Sequence, residues 1–183
     1  MAKIMIIRHA EKPETGFAGV TPAGVQDPED LIVQGWQRAG ALARFFAPLA
    51  PNVIAAGLAT PVTIFAADAS ATKGSMRPQH TVTPLSQLTG IAIDTAYGKN
   101  DLTKLAAAAT AAAANGAVLI AWQHQDIPVI VDTIAGAGTS PKKWPGDRFD
   151  IVFVLDSADG KSWTLTQVPQ MLIAGDSEKP IKK

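Results

Sequence analysis

KIMIIRHAEKP, residues Lys3–Pro13, is the segment from which the fold of this 183-residue chain can be inferred. Its four apolar residues, Ile4–Ile7, lack polar alternation, which is typical of a strand buried on both faces, as in a parallel sheet. Arg8 and His9 follow directly and would lie at the carboxyl end of that strand, where open α/β sheets bind ligands. Taken alone, the segment leaves two interpretations open: a ligand site, or a strand that simply ends on two polar residues.

The same construction occurs a second time in the chain. An apolar run at Ala117–Ala121 continues through Trp122 and Gln123 into His124, which is one of only 3 histidines. If the two strands are parallel neighbours, His9 and His124 face the same crevice. A neutral histidine can attack phosphorus, while an arginine and a protonated histidine can neutralise the phosphate oxygens. The repeated pattern therefore favours phosphate chemistry.

Further landmarks follow Arg8-His9-Ala10 along the chain, namely Gly35–Ala39 (GWQRA), Ser75–Thr81 (SMRPQHT) and the strand that leads into His124. In these residues and in their order, the chain resembles the histidine phosphatase (phosphoglycerate mutase-like) superfamily, of the small phosphatase type. The resemblance covers roughly residues 3 to 155, and the ordered set is more specific than any single motif. It implies an α/β fold, a three-layer α/β/α sandwich with a mostly parallel central sheet.

The pattern along the chain predicts the same architecture, because strands alternate with helices and end in an antiparallel hairpin. The first helix is predicted to start from Asp27–Asp30, where a capping residue and a proline suit a first turn, and to end at Pro48. We predict one domain over residues 1–175 and a flexible tail over 176–183. The other predicted elements are a strand at Asn52–Ala56, a helix at Pro78–Leu88, a strand at Ile91–Ile93, a helix at Leu102–Ala114, a helix from near Pro128, and a hairpin of Phe149–Leu155 with Ser162–Val168.

Composition argues against several classes of function. The 16 basic and 16 acidic residues balance, so no overall charge favours nucleic acid or an anionic membrane as a partner. No run approaches the roughly 18 apolar residues of a membrane span, and no signal peptide is recognisable, so a cytoplasmic protein is expected. With 0 cysteines, thiol catalysis and cysteine-based zinc sites are ruled out. No metal and no cofactor is predicted, and the oligomeric state stays open.

The resemblance implies a role for each candidate site residue. His9 is expected to be the nucleophile that forms a phosphohistidine. Arg8 and Arg77 are expected to bind phosphate, since a guanidinium matches two phosphate oxygens at once. His124 is expected to stabilise the charge of the transition state. Gln123, a candidate substrate contact, stands where the family commonly has glycine.

The general acid is left open among three carboxyl groups. Asp94 precedes Gly98 with a spacing that resembles the acid motif of the mutase branch. Asp126 follows His124 much as in the acid phosphatase branch, but displaced by one residue, and Glu11 lies two residues after the nucleophile. Each also suits a helix cap or a surface acid. A substrate with a good leaving group, such as a phosphohistidine or a phosphoanhydride, would need no dedicated acid.

The sequence thus predicts a metal-independent phosphatase that acts on a phosphorylated small molecule or a phosphoprotein. A phosphotransferase or mutase is an alternative, disfavoured because no insertion is present to shield an intermediate from water. A phosphate-binding or scaffold protein with little turnover is the other alternative, which the missing clear acid and Gln123 keep open. Outside the site, Arg38 is expected to serve the helix surface or a salt bridge, and His80 to be structural.

Overall fold

The computed structural model describes residues 1–50, 53–70 and 74–183, and one six-stranded sheet organises them. The elements are β1 (Ala2–Arg8), α1 (Val33–Phe46), β2 (Thr63–Ala66), α2 (Arg77–Thr89), β3 (Ile93–Asp94), α3 (Leu102–Ala112), β4 (Val118–Trp122), α4 (Ile127–Ala135), β5 (Ile151–Ser157) and β6 (Thr164–Pro169). The strand order is β3-β2-β4-β1-β5-β6, with β1 to β4 mutually parallel and β5 antiparallel to both of its neighbours. The predicted mostly parallel sheet with its C-terminal antiparallel hairpin is confirmed.

The sheet lies between two helical layers, because successive side chains of a strand point to opposite faces. In β1, Ile4 and Ile6 pack on the side of α3 and α4, whereas Met5 and Ile7 pack on the side of α1 and α2. All four side chains are fully buried, and each contributes about 1.5–3 kcal/mol of hydrophobic stabilisation. Their partners include Leu105, Ile127 and Ile130 on one face, and Leu42, Phe46, Val82 and Leu85 on the other.

The register between β1 and β4 brings the two predicted catalytic histidines to one edge of the sheet. Arg8 is paired with Trp122, and the backbone N–H of His9 donates to the carbonyl of Trp122 at 2.9 Å. His124 follows that carbonyl by two residues. The carboxyl ends of β1 and β4 therefore meet, as the repeated sequence pattern predicts.

The predicted start of the first helix is wrong, because α1 begins at Val33 and not in the segment Asp27–Asp30. The carboxylates of that segment bond to nearby backbone N–H groups: Asp27 accepts from Glu29, and Asp30 accepts from Leu31. These bonds stabilise turns, which compete with helix formation. Ile32 is still extended, with φ −76° and ψ 169°, and gives the helix no side-chain cap.

The strand predicted at Asn52–Ala56 is also wrong for residues 53–56, which form turns, while Asn52 lies outside the described residues. The second strand is instead Thr63–Ala66, in a segment for which the sequence pattern predicts no element. It pairs in parallel with β4, with Ile64 opposite Leu119. Thr, Ile and Phe suit a strand, but a run of four residues is too short to predict one from periodicity.

The other predicted elements agree with the structure to within a few residues. The helices at Pro78–Leu88 and Leu102–Ala114 correspond to α2 and α3, and the strand at Ile91–Ile93 overlaps β3. The predicted hairpin corresponds to β5 and β6, which begin and end slightly later than the pattern indicates. No helix in the described ranges is long and apolar enough to cross a membrane.

Residues 176–183, which the sequence predicts to be a flexible tail, make specific contacts with the body of the protein. Asp176 pairs with Arg38, with Nη2 to Oδ1 at 2.7 Å. The side chain of Gln167 donates to the carbonyl of Ile181 and accepts from its backbone N–H. Ile181 itself is only 5% exposed. The tail therefore extends the packing at the β5–β6 edge of the sheet.

Gly35 in α1 lies against the backbone that follows β1. A Cβ at this position would be 2.5 Å from the carbonyl oxygen of Glu11, a backbone atom that cannot move aside cheaply. We expect Gly35→Ala to lower the free energy of unfolding by about 1–3 kcal/mol, in spite of the better helix propensity of alanine. Denaturant unfolding of the variant measures this difference.

Gly40 is the matched control, because it lies in the same helix and a Cβ there would meet nothing within 4 Å. Gly40→Ala is expected to stabilise the protein by up to about 1 kcal/mol through helix propensity alone. If the two variants change the free energy of unfolding alike, the contact between α1 and the Glu11 backbone does not constrain position 35.

Candidate active site

A cavity of about 340 Å³ opens at the carboxyl ends of β1 and β4. His9 follows β1, His124 follows β4, and Arg77 begins α2. The structure thus places four of the predicted site residues, His9, Arg77, Gln123 and His124, in the wall of one cavity. The full lining consists of His9, Lys12, Glu29, Ser75, Arg77, Pro78, Lys99, Gln123, His124 and Gln125.

His9 is held in one orientation at the end of β1. Its Nδ1 lies 2.7 Å from the carbonyl oxygen of Ala10, and because a carbonyl can only accept, Nδ1 carries the proton. The lone pair of the neutral ring is therefore on Nε2. The backbone N–H of Ala10 donates to Oγ1 of Thr81, which fixes this turn to α2. A histidine with this tautomer can act as a nucleophile through Nε2.

The pKa values of both histidines are lowered, so both rings are neutral at neutral pH. Burial, followed by the charge of Arg8, lowers the pKa of His9 from 6.5 to about 3. Burial, followed by Arg8, Lys12 and Lys143, lowers the pKa of His124 to about 4. Nδ1 of His124 is buried and has no hydrogen-bond partner among the described residues. The cavity therefore presents two uncharged imidazoles in positively charged surroundings, which suit the binding of an anion.

Arg8 is buried behind the histidines and is not part of the cavity lining. Its Nη1 donates to the carbonyls of Gly146 at 2.6 Å and Arg148 at 3.0 Å, and its Cζ lies 3.7 Å from the ring centre of Phe149. Burial lowers the pKa of Arg8 to about 10, which still leaves the guanidinium charged at neutral pH. Its Nε and Nη2 are buried without partners in the described part of the chain. The free energy cost of such orphaned donors indicates a ligand or solvent partner.

Arg77 lies in the cavity wall but already has a carboxylate partner. Its Nη2 donates to Oε2 of Glu29 at 2.8 Å and to the carbonyl of Pro28 at 3.1 Å. Its Nε is buried and unpartnered within the described residues. A phosphate could accept a hydrogen bond from that Nε directly, whereas at Nη2 it would have to displace the carboxylate of Glu29.

The three carboxyl groups predicted as general acids lie outside the cavity lining. Glu11 pairs with the guanidinium of Arg38, with Oε1 at 2.8 Å from Nη2. Asp126 accepts hydrogen bonds from the side chains of Trp122 and Gln123. Asp94 is exposed and caps its own turn by accepting from the backbone N–H of Ala96. Each carboxylate has a structural partner, and none is brought to His9.

The residues expected to be structural do have structural partners. Arg38 is buried and bonds to Glu11, Asp176 and Gln170, which is the salt bridge that the sequence predicts, although in the interior rather than on the helix surface. His80 lies outside the cavity and bonds through Nδ1 to Asp30 at 2.7 Å. In residues 1–50, 53–70 and 74–183, no group of three or more histidine, aspartate or glutamate side chains is placed to hold a metal ion.

Sequence reasoning did not identify Lys12, Lys99 and Glu29 as cavity residues. Lys12 follows β1 and Lys99 follows β3, so both lie on loops at the carboxyl edge of the parallel strands. That position is the signal that could have identified the two lysines. The acidic Glu29 instead fits the pattern of a helix N-terminus, and its place in the wall depends on contacts with α2 that are remote in sequence.

Comparison with solved structures shows which architecture these elements form. SixA from Agrobacterium tumefaciens, ascribed to the phosphohistidine phosphatases, superposes with a TM-score of 0.54 and 18% identity over 90% of this chain and 94% of its own. A mycobacterial glucosyl-3-phosphoglycerate phosphatase solved with VO3 superposes with a TM-score of 0.54 and 13% identity, over 91% of this chain and 98% of its own. The phosphoglycerate mutase of Bacillus anthracis superposes with a TM-score of 0.51 and 11% identity, over 91% of this chain and 92% of its own. This chain has the phosphoglycerate mutase-like fold.

The phosphoglycerate mutase-like fold confirms, at the level of architecture, the resemblance found in the sequence motifs. These neighbours include proteins described as phosphatases and as a mutase, so the fold alone does not assign a reaction. No protein-family model matches the sequence, and no curated protein matches it. The reaction must therefore be argued from the cavity.

The lowered pKa of His9 predicts how stability depends on pH. Below its ordinary value of 6.5 the unfolded chain binds a proton on His9, and the folded protein does not until the pH nears 3. The free energy of unfolding therefore falls as pH falls, with a contribution from His9 that approaches about 1.4 kcal/mol per pH unit between those limits. His9→Gln removes this contribution, so the variant gains stability relative to wild type as the pH drops.

Denaturant unfolding of wild type and His9→Gln at a series of pH values from neutral to acid measures the effect. The two curves of unfolding free energy against pH should converge or cross toward low pH. Parallel curves across this range would show that the folded protein protonates His9 as readily as the unfolded chain does.

Proposed function

We propose that this protein is a phosphatase that hydrolyses phosphate monoesters of a small molecule or a phosphoprotein through a phosphohistidine on His9. The observation that carries the proposal is the fixed tautomer of His9: Nδ1–H donates to the Ala10 carbonyl, and Nε2 keeps its lone pair. The ring lies in a cavity wall with Arg77 and His124. Neighbours of the same fold that are described as phosphatases support this choice of reaction.

In the first half-reaction, Nε2 of His9 attacks phosphorus and the bond from phosphorus to the leaving oxygen breaks. Arg77 and His124 bind the phosphoryl oxygens, and the unpartnered N–H groups of Arg8 supply further donors. In the second half-reaction, a water molecule attacks phosphorus, the N–P bond breaks, and phosphate is released with neutral His9 restored. We propose that no metal takes part, because the guanidinium groups of Arg8 and Arg77 supply the positive charge that the transferring phosphoryl group needs, and the neutral ring of His124 adds a hydrogen-bond donor.

The alternative of a phosphate-binding protein with little turnover has one observation in its favour. Asp94, Asp126 and Glu11 lie outside the cavity lining, so none of the predicted acids is placed to protonate a leaving group. Such a protein would bind inorganic phosphate yet form no phosphohistidine. The mutase alternative would form one and pass it to a second hydroxyl group instead of water.

Trapping the intermediate separates these functions. Wild type is mixed with p-nitrophenyl phosphate in the presence of a chelator, quenched in alkali, where phosphohistidine survives, and analysed by mass spectrometry of its peptides. One added phosphoryl group on the peptide that contains His9, together with release of phosphate into water, is the expected result. Phosphate binding with no labelled peptide would favour the scaffold alternative, and turnover abolished by the chelator would contradict the metal-free mechanism.

A further inference from the structure

Glu29 is the only carboxylate among the described residues that line the cavity. Neither the sequence pattern nor the neighbours' descriptions assign it a role. We propose that Glu29 is the proton donor for the leaving group, an inference that rests on the phosphatase function proposed above. Asp94, Asp126 and Glu11 were predicted for this role, but they lie outside the cavity lining.

The backbone of Glu29 is held firmly beside the phosphate-binding residue Arg77. Its carbonyl accepts hydrogen bonds from the backbone N–H of Met76 at 3.2 Å and from Oγ of Ser75 at 3.3 Å. Its own N–H donates to Oδ1 of Asp27 at 2.8 Å. The loop that carries Glu29 is thus tied to the start of α2, so the carboxylate stays near the cavity even if its side chain changes rotamer.

The side chain of Glu29 is free to exchange partners. It is 42% exposed and forms an ion pair with Arg77 at 2.8 Å. A phosphate bound in the cavity competes with Glu29 for the same guanidinium, because Arg77 lines the cavity and its Nη2 already bonds to Glu29. When phosphate takes Nη2, Glu29 loses its counter-charge and faces an anion.

A carboxyl group next to an anion favours its protonated, neutral form. To act as the acid, Glu29 must exchange Arg77 for a proton taken from solvent when the substrate phosphate binds. In the empty cavity, its carboxylate pairs with the guanidinium of Arg77.

The proton that Glu29 donates in the first half-reaction is returned to it in the second. As the bond between phosphorus and the leaving oxygen breaks, the carboxylic acid of Glu29 gives its proton to that oxygen, and the alcohol departs. Glu29 is then a carboxylate beside the phosphohistidine. It accepts a proton from the water that attacks phosphorus, the N–P bond breaks, and the site returns to neutral His9 and protonated Glu29 with phosphate bound.

The test compares wild type with Glu29→Gln on phosphate esters whose leaving groups range from p-nitrophenol to a simple alkyl alcohol. The glutamine keeps an oxygen that can accept from Arg77 but cannot donate a carboxylic proton. We expect kcat/KM on the alkyl ester, which reports the first half-reaction, to fall by about 10²-fold, whereas kcat/KM on p-nitrophenyl phosphate changes little, because p-nitrophenolate leaves without protonation. The dependence of rate on leaving-group basicity should become steeper in the variant.

Asp94→Asn is the matched control, since Asp94 is an exposed carboxylate outside the cavity that bonds to the backbone of Ala96. It should leave both the rates and their leaving-group dependence unchanged. A loss of kcat/KM in Glu29→Gln that is equal for all esters would mean that Glu29 only positions Arg77, and would overturn the proposal.

Failure of the proposed function gives a different result. If wild type forms no phosphohistidine and hydrolyses none of the esters, the phosphatase assignment and the role of Glu29 fall together. If wild type labels His9 and turns over, but Glu29→Gln keeps the wild-type leaving-group dependence, only the role of Glu29 is overturned.

Discussion

His9→Ala is expected to lower kcat for phosphate ester hydrolysis by at least about 10⁴-fold, the scale of loss when a nucleophile is removed. The physical reason is that, of the two histidines in the described cavity wall, His9 has its tautomer fixed by a backbone carbonyl, whereas Nδ1 of His124 has no partner among the described residues. Steady-state kinetics on p-nitrophenyl phosphate, with chelator present throughout, measures the loss.

Binding of inorganic phosphate provides the control for folding in His9→Ala. Arg77, His124 and Arg8 remain in the variant, so phosphate should still raise its resistance to thermal unfolding in proportion to its concentration and affinity. A variant that binds phosphate but does not turn over has lost the nucleophile and not the site. Turnover that persists at a substantial fraction of the wild-type rate would contradict the phosphohistidine mechanism.

Equal inactivity of wild type and His9→Ala, with phosphate binding retained by both, would have a different meaning. It would favour the phosphate-binding or scaffold alternative, in which the fold and the anion site are kept without catalysis. The structural point behind that alternative is the position of the predicted acids, each of which already serves a hydrogen bond or an ion pair outside the cavity.

The edge of the sheet where the cavity opens could be predicted from sequence because its signal is local. Ile4–Ile7 and Ala117–Ala121 are uninterrupted apolar runs, and each leads within a few residues to a histidine. Two buried strands that end in polar residues can be recognised from periodicity without knowledge of tertiary contacts. Their pairing in register then brings His9 and His124 to the same edge.

The general acid could not be predicted in the same way, because carboxylates are common and their partners are remote in sequence. Glu11 is two residues from His9, yet Arg38, 27 residues away, binds it outside the cavity. Glu29 is 48 residues from Arg77 and reaches the cavity only because its loop is tied to α2. Proximity along the chain therefore does not predict which carboxylate lines the cavity, because tertiary contacts decide it.

The two errors in the predicted secondary structure have different physical causes. The segment Asp27–Asp30 has the residues of a helix start, but its carboxylates bond to nearby backbone N–H groups and hold turns instead. The strand Thr63–Ala66 is stabilised by β4 and β3 on either side, which no short pattern in its own sequence reveals.

Arg38→Met is expected to produce the largest loss of stability, about 3–5 kcal/mol in the free energy of unfolding. Arg38 is 2% exposed, and its guanidinium pairs with Glu11 at 2.8 Å and with Asp176 at 2.7 Å. Methionine replaces much of the aliphatic volume but leaves two buried carboxylates without a counter-charge. Arg44→Met, an exposed site in the last turn of the same helix, should change stability by no more than about 0.5 kcal/mol.

The charge origin of this loss can be separated from packing by its dependence on pH. Burial raises the pKa of Asp176, but hydrogen bonds from Arg38 and from the backbone of Leu172 and Ile173 outweigh it and hold the pKa below 3.8. A carboxylate with a depressed pKa stabilises the fold above its unfolded value and loses that contribution as pH falls. The difference in unfolding free energy between wild type and Arg38→Met should therefore shrink in acid, where Asp176 becomes protonated.

Neutralising the two carboxylates tests the same argument at neutral pH. Glu11→Gln and Asp176→Asn, added to Arg38→Met, should recover most of the lost stability, because the buried charges are then removed together with their partner. If the loss of stability stays constant with pH and is not recovered by these substitutions, it arises from packing in α1. The ion pair joins the loop after His9 to the C-terminal segment, so recovered stability would also show that Asp176 belongs to the folded unit that contains His9.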